Sequence, residues 1–242
     1  MSQTNGGKLL YEGKAKRLYE WNPESKEVRM EFKDSLTAFN AQKRGEFCGK
    51  GQINRNIASL LFRYLAKKGV ESHWVADRGT NEMITKQVQI ITIEVVVRNV
   101  LAGSLAKKLN LEEGRQLKWP IVEFYFKNDE LGDPLLCDDH VLMLELVNES
   151  ELKVIKDAAL KINTILRDLF QKINIQLVDF KVEFGKDSRN QIILADEITP
   201  DCCRLWDTST GDKLDKDRFR RDLGRVEESY VQVLERLKGI LA

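Results

Sequence analysis

Leu177–Gly185, which reads LVDFKVEFG, alternates apolar and charged residues from Val178 to Phe184. A period of two is typical of a β-strand with one face in the core. The other face of this strand then carries Asp179, Lys181 and Glu183 in the order acid, base, acid. A half-exposed strand with a solvated charged face is the ordinary explanation of such a pattern.

A second acidic stretch follows after one polar turn, and it favours a different explanation. We predict a strand at 191–198, in which Asp196 interrupts an apolar run where an unpaired charge is costly. Glu183 and Asp196 on adjacent strands facing a cleft would suit Mg²⁺, with nucleotide phosphates completing the coordination shell. The sequence leaves the register open, and a shift by one residue would turn Asp196 to the other face.

Apolar periodicity and turn residues place the other elements around these two strands. Gly69 sits at the position of a helix C-terminal cap, and Asn148 and Glu151 have capping-box spacing. We predict a β-rich lobe over residues 1–91 and a helix-richer lobe over 92–242, with a nucleotide cleft between them. Strands are expected at 9–21 (two, around Gly13), 28–32, 73–76, 83–87, 93–100, 121–127 and 176–184, and helices at 51–68, 151–172 and 217–237.

Composition narrows the classes of function. The 242 residues include 39 basic and 38 acidic side chains, a net charge of +1, which is unlike a dedicated nucleic-acid-binding protein. We find no secretion signal and no apolar run long enough for a membrane span, so we expect a cytoplasmic protein. The four cysteines form no CxxC pair or metal set, and we expect reduced thiols with no assigned role for the adjacent Cys202 and Cys203.

Two basic stretches are candidates for binding anions. Residues 13–17, GKAKR, place Lys14 and Lys16 in a tight hairpin where Gly13 lets a polyphosphate approach the backbone. A solvated basic hairpin is the alternative, and no Walker A motif is present. Residues 94–104, EVVVRNVLAGS, carry a lone cation in an apolar strand that runs into a helix start.

Three residues could grip one phosphomonoester together: Arg98 and Ser104 of that second stretch, and Arg204 in a loop predicted at 199–207. The alternatives are that each arginine forms a structural ion pair, with Asp207 as the candidate partner of Arg204, and that Ser104 only caps a helix. His73 and His140 lack ligand spacing, so we interpret them as structural.

Taken together, these segments resemble the SAICAR synthetase family of purine biosynthesis. The resemblance extends from YEGKAKRLYE at Tyr11 to DKDRFR at 215–220, and its most specific strings are IEVVVRNVLAGS, LVDFKVEFG and ADEITPDCCRLWD. Two departures are minor: Thr92 stands where many members have proline, and Cys202 and Cys203 occupy a variable position.

The resemblance implies an ATP-dependent ligase. Its substrates are ATP, carboxylated aminoimidazole ribonucleotide (CAIR) and L-aspartate, and its products are SAICAR, ADP and phosphate, formed by way of an acyl phosphate. It also implies a two-lobed α+β fold whose N-terminal lobe binds ATP like those of kinases and ATP-grasp enzymes, and a homodimer.

The resemblance also implies roles for particular residues, carried over motif by motif. Lys14 and Lys16 contact ATP phosphates, with Lys127 as a weaker candidate, and Gln89, Ile90 and Ile91 border the adenine. Glu183 and Asp196 bind Mg²⁺ and, with Lys14, form the catalytic set. The ribose phosphate of CAIR is held by Arg98, Ser104 and Arg204.

Two rival functions and two open points remain at this stage. A small-molecule kinase would share the lysines and acids, and an RNA-binding module is disfavoured by the balanced charge. The sequence identifies no general base for the amine. The residues that hold aspartate are open, with candidates at 33–41 and near Lys216 and Arg218.

Overall fold

The first sheet of the protein is antiparallel and is built from the N-terminal third of the chain. The structure, a computed structural model, describes residues 7–38 and 42–241. The sheet has the order β1-β2-β3-β7-β6. Its strands are β1 (Leu9–Glu12), β2 (Lys16–Asn22), β3 (Glu27–Phe32), β6 (Trp74–Arg78) and β7 (Glu82–Lys86). Between them lie a hairpin of β4 (Ser35–Ala38) and β5 (Lys43–Glu46), and the helix α1 (Lys50–Lys67).

The second sheet contains the strand that includes Leu177–Gly185. Its order is β10-β9-β8-β11-β12, with β13 also paired to β11. The strands are β8 (Gln89–Val100), β9 (Gln116–Phe126), β10 (Leu135–Leu136), β11 (Ile175–Lys186), β12 (Ile192–Ala195) and β13 (Cys203–Asp207). The helices are α2 (Gly103–Leu109), α3 (Asp138–Met143), α4 (Glu149–Gln171), α5 (Asp217–Arg220) and α6 (Val226–Leu241), with a short 3₁₀ turn at Asp129–Leu131. This mixture of helices and sheets agrees with the predicted α+β class.

The core explains why β11 is central. Its alternating apolar residues, among them Phe180, Val182 and Phe184, are at most 1% exposed and pack with the apolar faces of α1, α4 and α6. Both predicted helix signals are present: Gly69 has a positive φ of 72° after α1, and Asn148 and Glu151 form a reciprocal capping box before α4.

The short connection from Lys86, the last residue of β7, to Gln89, the first residue of β8, links the two sheets. The first sheet lies wholly before the predicted lobe boundary at 91/92. β8 crosses that boundary without a break, and the division into two lobes at this point stays a prediction. A second link is a parallel bridge between Ser72 and Leu194, next to which the backbone N–H of His73 donates to the Leu194 carbonyl at 2.8 Å. The end of β12 is therefore held against the N-terminal sheet.

Three predicted elements were wrong in detail. The helix predicted at 217–237 is two helices, because Asp222, Gly224 and Arg225 adopt positive φ between α5 and α6. The strand predicted at 191–198 stops at Ala195, and the loop predicted at 199–207 contains β13. Within the predicted basic hairpin, Lys14 lies in the turn between β1 and β2, and Lys16 begins β2.

Among the described residues, no helix is long and apolar enough to cross a membrane.

Candidate active site

The two acidic side chains predicted on neighbouring strands meet at one lysine. The register pairs Glu183 with Ala195, so Asp196 follows directly after the end of β12. Asp196 has a positive φ of 63°, which turns the chain out of the strand. Lys181 Nζ lies 2.7 Å from Glu183 Oε1 and 3.8 Å from Asp196 Oδ2. The carboxylates therefore share one environment.

The predicted nucleotide lysines reach the same carboxylates from other elements. Lys16 bonds Asp196 and, at 2.8 Å, Glu197 Oε1, while Lys127 bonds Glu183. Lys14 does not join them: it pairs at 2.7 Å with Asp129, and both side chains are largely exposed. Lys14 is thus at the rim, paired with a residue of the loop that follows Lys127.

Burial makes the charge balance of this cluster stringent. Burial alone would raise the pKa of Asp196, but the ammonium groups of Lys16, Lys181 and Lys127 outweigh it and hold that pKa well below its usual range. In the same way burial disfavours charged Lys16, and the nearby Asp196 and Glu197 carboxylates nevertheless raise its pKa. Asp196 and Lys16 are therefore both charged near neutral pH.

The acidic residues of the cluster have the oxygen ligands that Mg²⁺ prefers. No three histidine, cysteine or acidic side chains among residues 7–38 and 42–241 are grouped to hold a metal ion alone. Mg²⁺ usually takes one or two protein carboxylates and completes its shell with phosphate and water. The all-oxygen pair of Glu183 and Asp196 fits that requirement.

The residues predicted at the adenine edge begin β8. Gln89 and Ile90 are exposed, and Ile91 is buried in the core. In the register of the sheet, Gln89 faces Lys186 and Ile90 faces Gly185 of β11. Gly185 and Lys186 lie two and three residues beyond Glu183 along β11. The start of β8 therefore lies at the same end of β11 as the cluster.

The three residues predicted to hold a phosphate line one cleft of about 290 Å³. Arg98 and Arg204 approach it from β8 and β13, and Ser104 is exposed on the first turn of α2. Lys181 and Glu94 line the same cleft, and Lys181 Nζ lies 2.9 Å from Glu94 Oε1. The cleft is therefore continuous with the acidic pair.

Both arginines also form ion pairs, as the alternative interpretation expected. Arg98 bonds Asp179 Oδ2 at 2.7 Å and Glu123 Oε2 at 2.8 Å, and Arg204 bonds the same Asp179 oxygen at 2.9 Å. Asp179 thus holds both guanidinium groups side by side. The suggested partner Asp207 was wrong, because it bonds Arg236 instead.

Asp217 is a second acid that pairs with Arg204, and Asp215 fixes the position of Asp217. Arg204 Nε donates to Asp217 Oδ2 at 3.0 Å. Asp215 accepts the backbone N–H groups of Leu205 and Asp217 at 2.8 and 2.7 Å, which joins α5 to β13. Burial and the adjacent Asp217 charge raise the pKa of Asp215 to about 7.

We expect Asp215 to make stability depend on pH. Its folded-state pKa of about 7 lies above its ordinary value of 3.8, so the folded state binds the extra proton in this window and stability falls as pH rises through it. This contribution is on the order of a few kcal/mol. Denaturant unfolding of the wild type and Asp215→Asn at several pH values measures it; equal pH slopes for the two proteins would contradict the assignment.

Sequence reasoning overlooked several members of the site. Two of them are Lys181, which bridges the acidic pair, and Asp179, which bridges the arginines. In the sequence they appear only as alternate charged positions of β11. Glu94, Glu197 and Asp217 gave no signal of their own, because their partners come from elements distant in sequence.

The chain is similar over nearly its whole length to proteins of one kind. A sequence profile described as SAICAR synthetase matches residues 9–237. Phosphoribosylaminoimidazole-succinocarboxamide synthase of Nautilia profundicola is 55% identical over 96% of this chain and 99% of its own. The enzyme of the same name from Anoxybacillus flavithermus is 53% identical over 96% of each chain.

Solved structures show the same relationship. The crystal structure of phosphoribosylaminoimidazole-succinocarboxamide synthase from Ehrlichia chaffeensis has a TM-score of 0.93 and 46% identity, covering 96% of this chain and 99% of that one. A SAICAR synthetase in complex with ADP has a TM-score of 0.92, also with 46% identity, covering 96% and 98%. The predicted fold is confirmed by these matches.

Proposed function

The chain belongs to the SAICAR synthetase family, and from this premise we propose how its side chains carry out the family's reaction. The protein is an ATP-dependent ligase of purine biosynthesis that joins L-aspartate to the carboxylate of CAIR and releases ADP and phosphate. The observation that carries the assignment of residues is the continuous path from the Lys181 cluster to the Arg98–Arg204 cleft.

The lysines offset the electrostatic repulsion between the two anionic substrates. A carboxylate resists attack by an amine, and phosphorylation gives it phosphate as a leaving group. The triphosphate and the CAIR carboxylate must first approach, and at ~4 Å their repulsion in a low-dielectric cleft is several kcal/mol. We assign Lys16, Lys181 and Lys127 to this neutralisation, with Lys14 reaching the phosphates from the rim.

Glu183 and Asp196 are the residues that would hold Mg²⁺, which supplies charge neutralisation to the phosphates when bound. Both carboxylates accept bonds from lysine ammonium groups, so the residues that would hold the ion lie beside cations suited to the oxygens of the substrates. We assign the adenine to the edge formed by Gln89, Ile90 and Ile91 at the start of β8.

The other end of the cleft holds the ribose phosphate of CAIR. Arg98 and Arg204 are preset side by side by Asp179, and Ser104 offers a hydroxyl from the facing helix. Guanidinium groups with fixed geometry suit a phosphate better than flexible lysines do. The distance along β11 from Asp179 to Glu183 then separates the phosphate from the reacting carboxylate.

The test of this function is the dependence of ADP release on each substrate. With ATP, Mg²⁺ and CAIR, the protein should form the succinocarboxamide product only when L-aspartate is present, and one ADP should appear per product. Steady ADP release without L-aspartate would instead indicate the rival small-molecule kinase. An oxygen label in the CAIR carboxylate should appear in the released phosphate, as an acyl phosphate requires.

Gly103 gives a specific prediction for the phosphate end. Its φ is +59°, and a Cβ added there would lie 2.4 Å from Arg204 Nη2 and 2.5 Å from its Cζ. Gly103→Ala should displace that guanidinium and raise the KM for CAIR about tenfold or more, with little change for ATP. Gly114→Ala is the matched control, since its φ is +98° with nothing within 4 Å. Equal effects of the two variants on CAIR would contradict the proposal.

A cytoplasmic location remains a prediction from the sequence, and a homodimer remains a prediction from the family resemblance.

A further inference from the structure

The loop between α2 and β9 runs back along the residues that precede α2. The Leu101 N–H donates to the Arg115 carbonyl, and the Gly114 N–H donates to the Leu101 carbonyl, both at 2.9 Å. These two bonds extend the pairing of β8 with β9 beyond Val100. The loop is therefore held by its own backbone, and it brings the Glu113 side chain beside the first turn of α2.

Glu113 joins the start of α2 to the residue that follows α5 through a single oxygen atom. Glu113 Oε1 accepts the backbone N–H of Gly103 at 2.8 Å and Nη2 of Arg221 at 2.6 Å. The Arg221 bond is the main reason that the pKa of Glu113 lies below its ordinary value, so this carboxylate is charged near neutral pH. Glu113 lies outside the cleft, and with Arg221 it borders a separate cavity of about 460 Å³ beside α2.

The contacts of Glu113 close a ring that includes Arg204. Arg221 Nη2 lies 3.6 Å from Asp217 Oδ2, the same oxygen that accepts Arg204 Nε at 3.0 Å. On the other side of the ring, the Gly103 backbone lies against the Arg204 guanidinium, since a Cβ added to Gly103 would lie 2.4 Å from Nη2. The guanidinium is therefore confined between Asp217, which Arg221 links to Glu113, and Gly103, which Glu113 holds directly.

The position of Gly103 matters for the phosphate end of the cleft. Its Cα limits how far the Arg204 guanidinium can move, and the next residue, Ser104, lines the cleft. Two of the three groups assigned to the CAIR phosphate thus depend on one backbone position whose N–H is bonded to Glu113. Groups that are fixed before the ligand arrives bind it more tightly, because less ordering is needed on binding.

We propose that Glu113 is a positioning residue for the phosphate of CAIR, acting through Gly103 on Arg204 and Ser104. This inference rests on the proposed function. The carboxylate does not touch the substrate; it holds the start of α2 at the distance from β13 at which the guanidinium and the hydroxyl converge. Because backbone bonds already hold the loop, we expect the side chain to matter more for this geometry than for folding.

The experiment measures the KM for each of the three substrates in Glu113→Ala. The KM for CAIR should rise about tenfold, and those for ATP and L-aspartate should stay nearly unchanged. Glu113→Gln should raise the KM for CAIR only about threefold, because an amide oxygen can still accept the Gly103 N–H while the charge on Arg221 is lost. Glu112→Ala is the matched control, since that exposed side chain precedes Glu113 on the same loop.

A double-mutant cycle distinguishes positioning from a general loss of structure. If Glu113 acts through Arg204, Glu113→Ala should raise the KM for CAIR much less in an Arg204→Ala background than in the wild type. Full additivity of the two changes would overturn the inference. An equal rise of the KM for all three substrates in Glu113→Ala would indicate a structural role and would also overturn it.

The same measurements separate this inference from the proposed function. An unchanged KM for CAIR in Arg204→Ala would show that the phosphate assignment itself is wrong. A raised KM for CAIR in Arg204→Ala, with no change in either Glu113 variant, would overturn this inference alone. Glu113→Gln preserves the size of the side chain, so it carries the same comparison if Glu113→Ala fails to fold.

Discussion

Replacing Glu183 by Gln, or Asp196 by Asn, should abolish turnover while the protein still folds. Each change removes a carboxylate, buried in Glu183 and half-buried in Asp196, that two ammonium groups approach and that we assign to Mg²⁺. The loss should be about a hundredfold or more in kcat, comparable to removing a preorganised charge from an active site. Product formation under saturating substrates measures it.

The fold should survive because the orphaned lysines have other partners. After Glu183→Gln, Lys181 retains Glu94, and Lys127 is exposed enough to reach water; after Asp196→Asn, Lys16 retains Glu197. Thermal melting checks this. Glu151→Gln is the control, since that carboxylate pairs with Lys186 and caps α4 outside the cleft. Near-normal kcat in both site variants would refute the assignment.

Arg204→Ala should weaken the binding of CAIR far more than that of ATP. The side chain lies between Asp179 and Asp217 and faces the cleft at the end opposite the acidic pair. Loss of a charge-assisted contact costs roughly 1.5–3 kcal/mol, which corresponds to a KM increase of about 10- to 150-fold. Steady-state kinetics with each substrate varied in turn measures the difference.

A matched arginine controls for the loss of an ion pair as such. Arg236 bonds Asp207 and two backbone carbonyls away from the cleft, so Arg236→Ala should lower stability without changing the KM for CAIR. In Arg204→Ala, Asp179 keeps Arg98 and Asp217 keeps Arg220, so neither acid is left buried alone. If Arg204→Ala raises both KM values equally, its guanidinium does not serve the CAIR phosphate.

The central strand was predictable because its signal is local. Alternation along β11 marks both the apolar face in the core and the charged positions of the site, and the caps of α1 and α4 are set by neighbouring residues. The pairing of Glu183 with Asp196 needed the register, which depends on contacts between distant segments. The positive φ of Asp196, which brings its carboxylate to Lys16 and Lys181, has no sequence signature.

The sequence could not show which acidic residues form ion pairs with the arginines of the site. Arg204 was linked to Asp207 because they are three residues apart, whereas the fold supplies Asp179 and Asp217 from β11 and α5. The helical periodicity from 217 onward continues through a break that only three backbone dihedral angles reveal.

A structure of the protein with ADP, Mg²⁺ and CAIR is the most direct measurement. We expect one ion in contact with the nucleotide and with both the Glu183 and the Asp196 carboxylates. We also expect the CAIR phosphate to lie between Arg98 and Arg204. An ion bound without either carboxylate, with both acids still on their lysines, would contradict it.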